Sequence, residues 1–175
     1  MMDFSIILLS FNASIEQIEH TVMSILEQKD VKYEIIVCDD CSRDNHFDYL
    51  EELFKIHNFA HYALLGTDKN MGTVRNILRG LEIAKGKYAK LIGMGDLLYR
   101  DTTLREVYDF MEKEQIQSCF GLIEGYRIKD GEFYPAEHSS PVDIKVYKDA
   151  NRAKITKNLL LVEDWVSGVC IFATT

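Results

Sequence analysis

Residues 4–14 run Phe4-Ser5-Ile6-Ile7-Leu8-Leu9-Ser10-Phe11-Asn12-Ala13-Ser14. A short, isoleucine-rich apolar run that stops in a polar turn reads as a buried strand. Ser14 stands three residues before Gln17, which is capping-box spacing, and Ile15, Ile18, Val22, Ile25 and Leu26 then recur on one helical face. A strand therefore feeds a helix, and the same succession follows three more times. Glu34-Ile35-Ile36-Val37-Cys38 ends in Asp39-Asp40-Cys41-Ser42-Arg43-Asp44-Asn45, ahead of a helix with Phe47, Leu50, Leu53 and Phe54 inward. A third strand near Phe59 to Leu65 runs into Gly66-Thr67-Asp68-Lys69-Asn70-Met71-Gly72. Val74, Ile77, Leu78 and Leu81 mark the third helix, with Gly86 where a left-handed C-terminal cap belongs. Tyr88-Ala89-Lys90-Leu91-Ile92 is a fourth strand, ending in Gly93-Met94-Gly95-Asp96. Thr103 with Glu106 gives a second capping box before Leu104, Val107, Phe110 and Met111.

Four strand-then-helix units imply an α/β fold: a mainly parallel sheet with helices on its faces, joined by right-handed crossovers. After about residue 115 the rhythm changes. Cys119 to Ile128 and Glu132 to Tyr134 read as strands around a turn at Lys129-Asp130-Gly131, with Pro135 and Pro141 in the loop that follows. A helical stretch carrying Lys145, Lys148, Arg152, Lys154 and Lys157 leads to Leu159-Leu160-Leu161, and Val166 to Phe172 reads as a last strand. No internal repeat or linker interrupts the 175 residues. They are expected to form a single domain, residues 1–175, with an α/β half over 1–115 and a more irregular half over 116–175.

Composition narrows the class. Hydrophobic residues at 47%, charged residues at 27%, two prolines and ten glycines exclude a disordered or collagenous chain. Twenty Lys and Arg against 28 Asp and Glu, a net charge of −8, argue against a nucleic-acid partner held by phosphate neutralisation. Apolar runs such as Leu159 to Val162 fall far short of the roughly 20 residues that span a bilayer, and no signal peptide is read, so the expected address is the cytoplasm. Cys38, Cys41, Cys119 and Cys170 are read as free thiols, because the C-x-x-C pair at 38 and 41 lacks a second ligand pair at metal spacing.

Polar residues collect in one place. Ser10-Phe11-Asn12, Asp39-Asp40, Asn70 with Gly72, and Gly95-Asp96 each follow a predicted strand, so all four converge on the C-terminal edge of the sheet, where α/β folds bind ligands. Any one of them alone reads as a turn or capping residue. Together they resemble the inverting GT-A glycosyltransferases of family 2, over essentially the whole chain. Ser5-Ile6-Ile7-Leu8-Leu9-Ser10-Phe11-Asn12 is similar to that family's opening strand and S-Y-N turn, with Phe for Tyr. Ile35 to Asp44 resembles its hydrophobic-D-D-x-S-x-D segment, and Asn70-Met71-Gly72 with Ala84-Lys85-Gly86-Lys87-Tyr88 resembles its N-x-G … A-x-G-x-Y run. Order and spacing carry the likeness more than any one motif.

The resemblance implies a GT-A fold, a Rossmann-like α/β/α sandwich whose C-terminal part is incomplete here. It implies transfer of a sugar from a nucleoside diphosphate sugar to a saccharide or lipid-linked acceptor, with inversion, in cell-surface polysaccharide biosynthesis. Ser10, Phe11, Asn12, Asp39, Asp40, Asn70, Arg75 and Asn76 are the implied donor-nucleotide residues. Asp40 would accept from the base, and Arg75 would meet a phosphate. The family's L-D-x-D-D ending departs here to Ile92-Gly93-Met94-Gly95-Asp96. Asp96 is left to hold Mg2+ or Mn2+, which can bind through one carboxylate plus substrate phosphates and water. The general base is expected beyond Thr175, with Glu163 and Asp164 as the nearest acids, so the chain is expected to be a portion of a longer transferase. The basic stretch from Lys145 to Lys157 has two readings, an amphipathic helix on the acceptor side or contact with an anionic lipid-linked acceptor at the inner membrane face, the first being favoured. A nucleotide-sugar-binding module of the same fold, without catalysis, is the alternative that Gly93 and Gly95 favour.

Overall fold

The computed structural model describes residues 1–129, 132–161 and 171–175. The strands and helices alternate through β1 (Met2–Ser10), α1 (Ile15–Leu26), β2 (Tyr33–Asp39), α2 (Phe47–Ile56), β3 (Tyr62–Leu65), α3 (Thr73–Ile83), β4 (Gly86–Gly93) and α4 (Thr103–Glu114). They are followed by β5 (Ser118–Phe120), β6 (Ile123–Lys129), β7 (Glu132–Ser140), α5 (Ile144–Lys148), α6 (Arg152–Leu161) and β8 (Ile171–Thr174). Two compact units result: Met1–Cys119 with Phe172–Thr175, and Phe120–Ile171.

In the first unit the sheet order is β3-β2-β1-β4-β8-β5, parallel from β3 to β4, with β8 antiparallel to β4. This is the mixed, mostly parallel α/β sheet expected. Winding proceeds outward from β1 to β3 and then returns to β4 on the other side of β1. That reversal sends α3 to the face opposite the other helices and opens a crevice at the C-terminal ends of β1 and β4.

Strand alternation divides the core accordingly. Phe4, Ile6, Leu8, Ile35, Val37 and Tyr88 meet Ile18, Val22 and Ile25 of α1, Leu50, Leu53 and Phe54 of α2, and Leu104 and Met111 of α4. Phe4 lies against Tyr88, Tyr108 and Phe172, with ring centroids 5.8 to 6.3 Å apart, the tilted and edge-on geometry that aromatic quadrupoles favour. The opposite face is thinner: Ile7, Ile36 and Cys38, with Leu81 and Ala84 of the α3 end packed on them.

Several local expectations change. The Ser14–Gln17 capping box forms as read, with reciprocal bonds of 3.2 and 3.0 Å. α4, however, is preceded by Thr102, and Thr103 is its first residue; the Thr103 hydroxyl accepts from the Arg100 amide instead. Gly86 is no left-handed cap. It opens β4 where a Cβ would stand 2.3 Å from Phe4 C and Ser5 N, so the need is close approach rather than positive φ. On α3, Val74 and Leu78 are exposed, and Asn76 and Gly80 are the buried pair. The Cys119–Ile128 run breaks into β5 and β6.

In the second unit β6 and β7 form a two-stranded antiparallel ribbon. Pro135 lies inside β7 rather than in a loop, beside the register shift between Glu124 and Tyr126, an irregular edge being where a strand tolerates proline. Pro141 follows the ribbon. The basic stretch forms α5 and α6, whose apolar residues Ile155 and Leu160 do not share a face, against the expected amphipathic helix. The turn residues Asp130 and Gly131 and most of the predicted Val166–Phe172 strand lie outside the described residues.

Candidate functional site

Three turns at the C-terminal edge of the sheet are bonded to one another. Asp39, the last residue of β2, is buried, and its carboxylate accepts from the Ser42 amide at 2.9 Å and from the Ser42 hydroxyl. The Asn12 amide donates to Ser42 Oγ at 2.7 Å, and the Arg43 amide donates to Asn12 Oδ1 at 3.0 Å. The turn after β1 is thereby locked to the turn after β2. Asn12 and Cys41, at φ of 50° and 67°, adopt the left-handed backbone these tight turns require. The Ser10 carbonyl accepts from the Asp40 amide at 3.0 Å, which carries the β1–β2 ladder past the end of the strands.

Asp40 ties in the third turn. The Met71 amide donates to its Oδ1 at 2.7 Å and the Gly72 amide to its Oδ2 at 2.9 Å, while Asn70 Oδ1 accepts from Gly72 as well. Gly72 has φ of 83°, a conformation that glycine adopts without strain, and it hands the chain into α3 with no side-chain cap and no acid in the first turn. Asn76, 2% exposed, then pins α3 down: its Nδ2 donates to the Cys38 carbonyl at 2.7 Å and its Oδ1 accepts from Arg79 at 3.0 Å.

The residues singled out in the sequence thus fall into two groups. Asp39, Asp40, Asn12 and Asn76 hold loops and helix in place, and Ser10 is buried at the end of β1. Phe11 (55% exposed), Asn70 and Arg75 face solvent on the same edge. Sequence reasoning missed Ser42 as a junction and Arg79 as a clamp, the latter donating also to the Gly66 carbonyl at 2.7 Å. The signal for Ser42 was its position three residues after Asp39. Cys38 lies under α3, where burial pushes its thiol up to about 11, the setting of an inert structural cysteine.

The end of β4 completes the edge. The Asp96 amide donates to the Gly93 carbonyl at 3.0 Å and the Gly93 amide donates to Asp96 Oδ2 at 3.2 Å, closing the turn in both directions. The Met94 amide donates to the Leu9 carbonyl at 2.9 Å, and the Gly95 amide to Thr21 Oγ1 at 2.8 Å. Burial raises the Asp96 carboxyl above its ordinary range, opposed by the Gly93 amide and by the positive charge of Lys90. Lys90 is itself buried, its Nζ 4.4 Å from the centre of the Phe172 ring.

A divalent ion held by the protein alone needs several oxygen donors converging on one point, whereas an ion held with one carboxylate takes the rest of its shell from substrate phosphates and water. Among the described residues no three His, Cys, Asp or Glu side chains converge in that way. Asp39 and Asp40 are committed to the turns, and Asp96 offers one carboxylate with one oxygen already bonded. The residues at Asp96 do not by themselves fit a resident Mg2+ or Mn2+; an ion there would need substrate oxygens to complete its shell. Glu163 and Asp164 lie outside the described residues. No helix among the described residues is long and apolar enough to cross a membrane. An open groove of about 860 Å3, lined by residues that include Glu51, Glu52, Lys55, Phe59 and Tyr62, lies along α2 and the start of β3, away from these turns.

The sequence model described as Glycosyl transferase family 2 matches residues 5–173. TuaG of Bacillus subtilis (strain 168), a glycosyltransferase named for teichuronic acid biosynthesis, is 31% identical over 139 residues, covering 79% of this chain and 50% of TuaG. Among solved structures, S. aureus TarS 1–349 in complex with UDP superposes with a TM-score of 0.59 at 23% identity, over 67% of this chain and 34% of that one. The mannosyltransferase PcManGT from Pyrobaculum calidifontis, in complex with GDP-Man and Mn2+, gives a TM-score of 0.60 at 18% identity, over 67% and 36%. The chain therefore spans about half the length of TuaG and about a third of each of these two structures. At these identities the two structures establish the fold.

Proposed function

The chain belongs to glycosyl transferase family 2, and from that premise we propose that it transfers a sugar from a nucleoside diphosphate sugar to a saccharide or lipid-linked saccharide acceptor in building a cell-surface glycan. Residues 1–115 serve as the donor half and 116–175 as part of the acceptor half. The observation that carries the proposal is the set of interlocked turns after β1, β2 and β3 at the C-terminal edge of the sheet, with Phe11, Asn70 and Arg75 exposed on it. Loops already held by hydrogen bonds between their amides and buried or local side chains bind a ligand without losing as much conformational freedom.

In this reading the Phe11 ring is the platform for the nucleobase. Asp40 keeps a second lone pair on each oxygen beyond those taken by Met71 and Gly72, so it can still accept from a base N–H. Asn12 and Asn70 border the ribose. The first turn of α3 has no side-chain cap and no acid and carries Arg75, so it suits the diphosphate through both helix dipole and guanidinium. Asp39 and Asn76 act through the loops they hold. The acceptor oxygen attacks the anomeric carbon opposite the diphosphate as a general base takes its proton. The bond from that carbon to the diphosphate oxygen breaks with inversion, and the nucleoside diphosphate leaves.

A nucleotide-sugar-binding module without transfer is the second reading, favoured by the glycines at 93 and 95 where the family pattern has acids. Calorimetric titration with UDP, GDP and dTDP, alongside a donor-hydrolysis assay, separates the two. Binding with hydrolysis supports the transferase; binding without it supports the module. If Phe11→Ala and Arg75→Ala both bind as wild type does, the donor placement is wrong.

A further inference from the structure

Residues 93–96 form a β-turn, Gly93 carbonyl to Asp96 amide, whose third residue Gly95 is left-handed at φ of 98°. Type II turns reserve that position for glycine or asparagine. An aspartate at 95, as in the L-D-x-D-D pattern, would be strained there, and its Cβ would approach Gln17 Nε2 at 3.3 Å. At 93 a Cβ would stand 3.1 Å from Asp96 Oδ2, because the Asp96 side chain folds back over the glycine to take its amide. The two lost acids, the left-handed turn and the returned carboxylate thus form one arrangement. Thr21 and the Leu9 carbonyl, which take the remaining amides of the turn, anchor it to α1 and β1.

We infer that Asp96 in this chain is a positioning residue that closes the β4 turn rather than a metal ligand, and that nucleoside diphosphate binding here is independent of a divalent ion. The ground is the donor set and the turn geometry. Where the family pattern has three acids, this chain offers one carboxylate, with an oxygen bonded to Gly93 and its charged form disfavoured by burial. An ion here would be held mainly by substrate phosphates and water, and the protein would add little to its affinity. The positive charge for the diphosphate then comes from the protein itself, with Arg75 exposed on the same edge. The nucleotide half of this inference rests on the donor-site proposal above; the metal half does not.

Two measurements test it. In the first, Mn2+ is titrated into the full chain and followed by the electron paramagnetic resonance of the free ion, with Gly93→Asp as a gain-of-ligand variant whose fold is checked by its melting curve. Wild type is expected to take up no Mn2+ above background. Gly93→Asp, with a second carboxylate beside Asp96, should bind at least about tenfold more tightly if it folds. Wild-type uptake that Asp96→Asn abolishes overturns the inference. In the second, UDP is titrated with Mn2+ and with EDTA. Wild-type affinity should differ by less than about threefold, and Asp96→Asn, which keeps an acceptor for the Gly93 amide, should stay within about threefold of wild type, while Asp96→Ala weakens binding by about tenfold in both buffers. Tightening of about tenfold by Mn2+ that both variants lose equally means Asp96 is a ligand after all. If neither UDP, GDP nor dTDP binds, the donor-site proposal falls, and the Mn2+ titration still decides whether Asp96 holds an ion without nucleotide.

Discussion

The two ends of the parallel sheet use the same device to opposite effect. At the N-terminal end, the buried carboxylate of Glu34 accepts from the Ser5 hydroxyl and the Lys85 amide, both at 2.6 Å, while Ser5 Oγ accepts from the Gly86 amide at 2.8 Å. At the C-terminal end, Asp39 and Asp40 accept from Ser42, Met71 and Gly72. Each set ties one end of α3 to the sheet, over a face whose apolar core is only Ile7, Ile36 and Cys38. The difference lies in the neighbours. Glu34 is closed in by strand and helix backbone, whereas the aspartates sit beneath exposed Phe11, Asn70 and Arg75. A buried, hydrogen-bonded carboxylate therefore does not by itself mark a site; one beside exposed aromatic, amide and guanidinium side chains does.

The strongest way to sharpen this contrast is Gly86→Ala. A methyl group 2.3 Å from the β1 backbone must lift the α3–β4 junction away from Ser5 and Glu34. A loss of about 3 kcal/mol or more is expected from urea unfolding. Glu34→Ala comes next. It leaves the Ser5 hydroxyl proton without its acceptor and the Lys85 amide with only its 3.1 Å bond to Ser5 Oγ, at a cost of about 2 kcal/mol, yet should leave UDP affinity unchanged at temperatures where the variant is folded. A parallel loss of affinity would break the distinction between the two ends.

Asp40→Asn should reverse that pattern. One of the amides of Met71 and Gly72 would meet an NH2 group instead of an oxygen, costing about 1–2 kcal/mol of stability, while UDP affinity falls about tenfold because the loop carrying Asn70 is released. Arg75→Ala isolates the functional share: stability within about 0.5 kcal/mol of wild type, since the side chain is exposed, with UDP binding weakened by about 1.5–3 kcal/mol. An Arg75→Ala variant that binds as tightly as wild type would move the diphosphate away from α3.

The contrast also explains what the sequence could convey. Strand and helix order was legible because each apolar run has its own period and each turn its own polar residues. The burial of α3 was not, because its buried pair is Asn76 and Gly80, a hydrogen bond and a close approach to Ile7 and Cys38 rather than an apolar stripe. Gly86 was misassigned because a capping glycine and a close-packing glycine look alike in one dimension. The edge carrying the site was legible from which residues follow strands. The bonds across it were not, since Asn12 and Ser42 are thirty positions apart and meet only once β1 and β2 pair in register. Asp96 followed the same rule: its place after β4 was visible, but its return to Gly93 depends on a left-handed Gly95 that no pattern of acids indicates.

The smallest expected effect separates Asp96 from the aspartates beside it. Burial raises its carboxyl, so the folded chain holds that proton more tightly than the unfolded chain, where an aspartate titrates near about 3.9. Stability rises with pH only where the unfolded state binds more protons, and here the folded state does. The contribution from Asp96 is therefore full below the unfolded value and is lost as pH rises through the raised, folded one. Asp96→Asn removes this slope while keeping an acceptor for the Gly93 amide. The stability of the variant relative to wild type should climb as pH rises from about 4 through the raised value and then level off, in urea unfolding curves taken up to about pH 8. Parallel curves for the two proteins across that range would mean that Asp96 titrates alike folded and unfolded. Its carboxylate would then be as well solvated in the turn as in water, and the returned bond to Gly93 would no longer distinguish it from a ligand waiting for an ion.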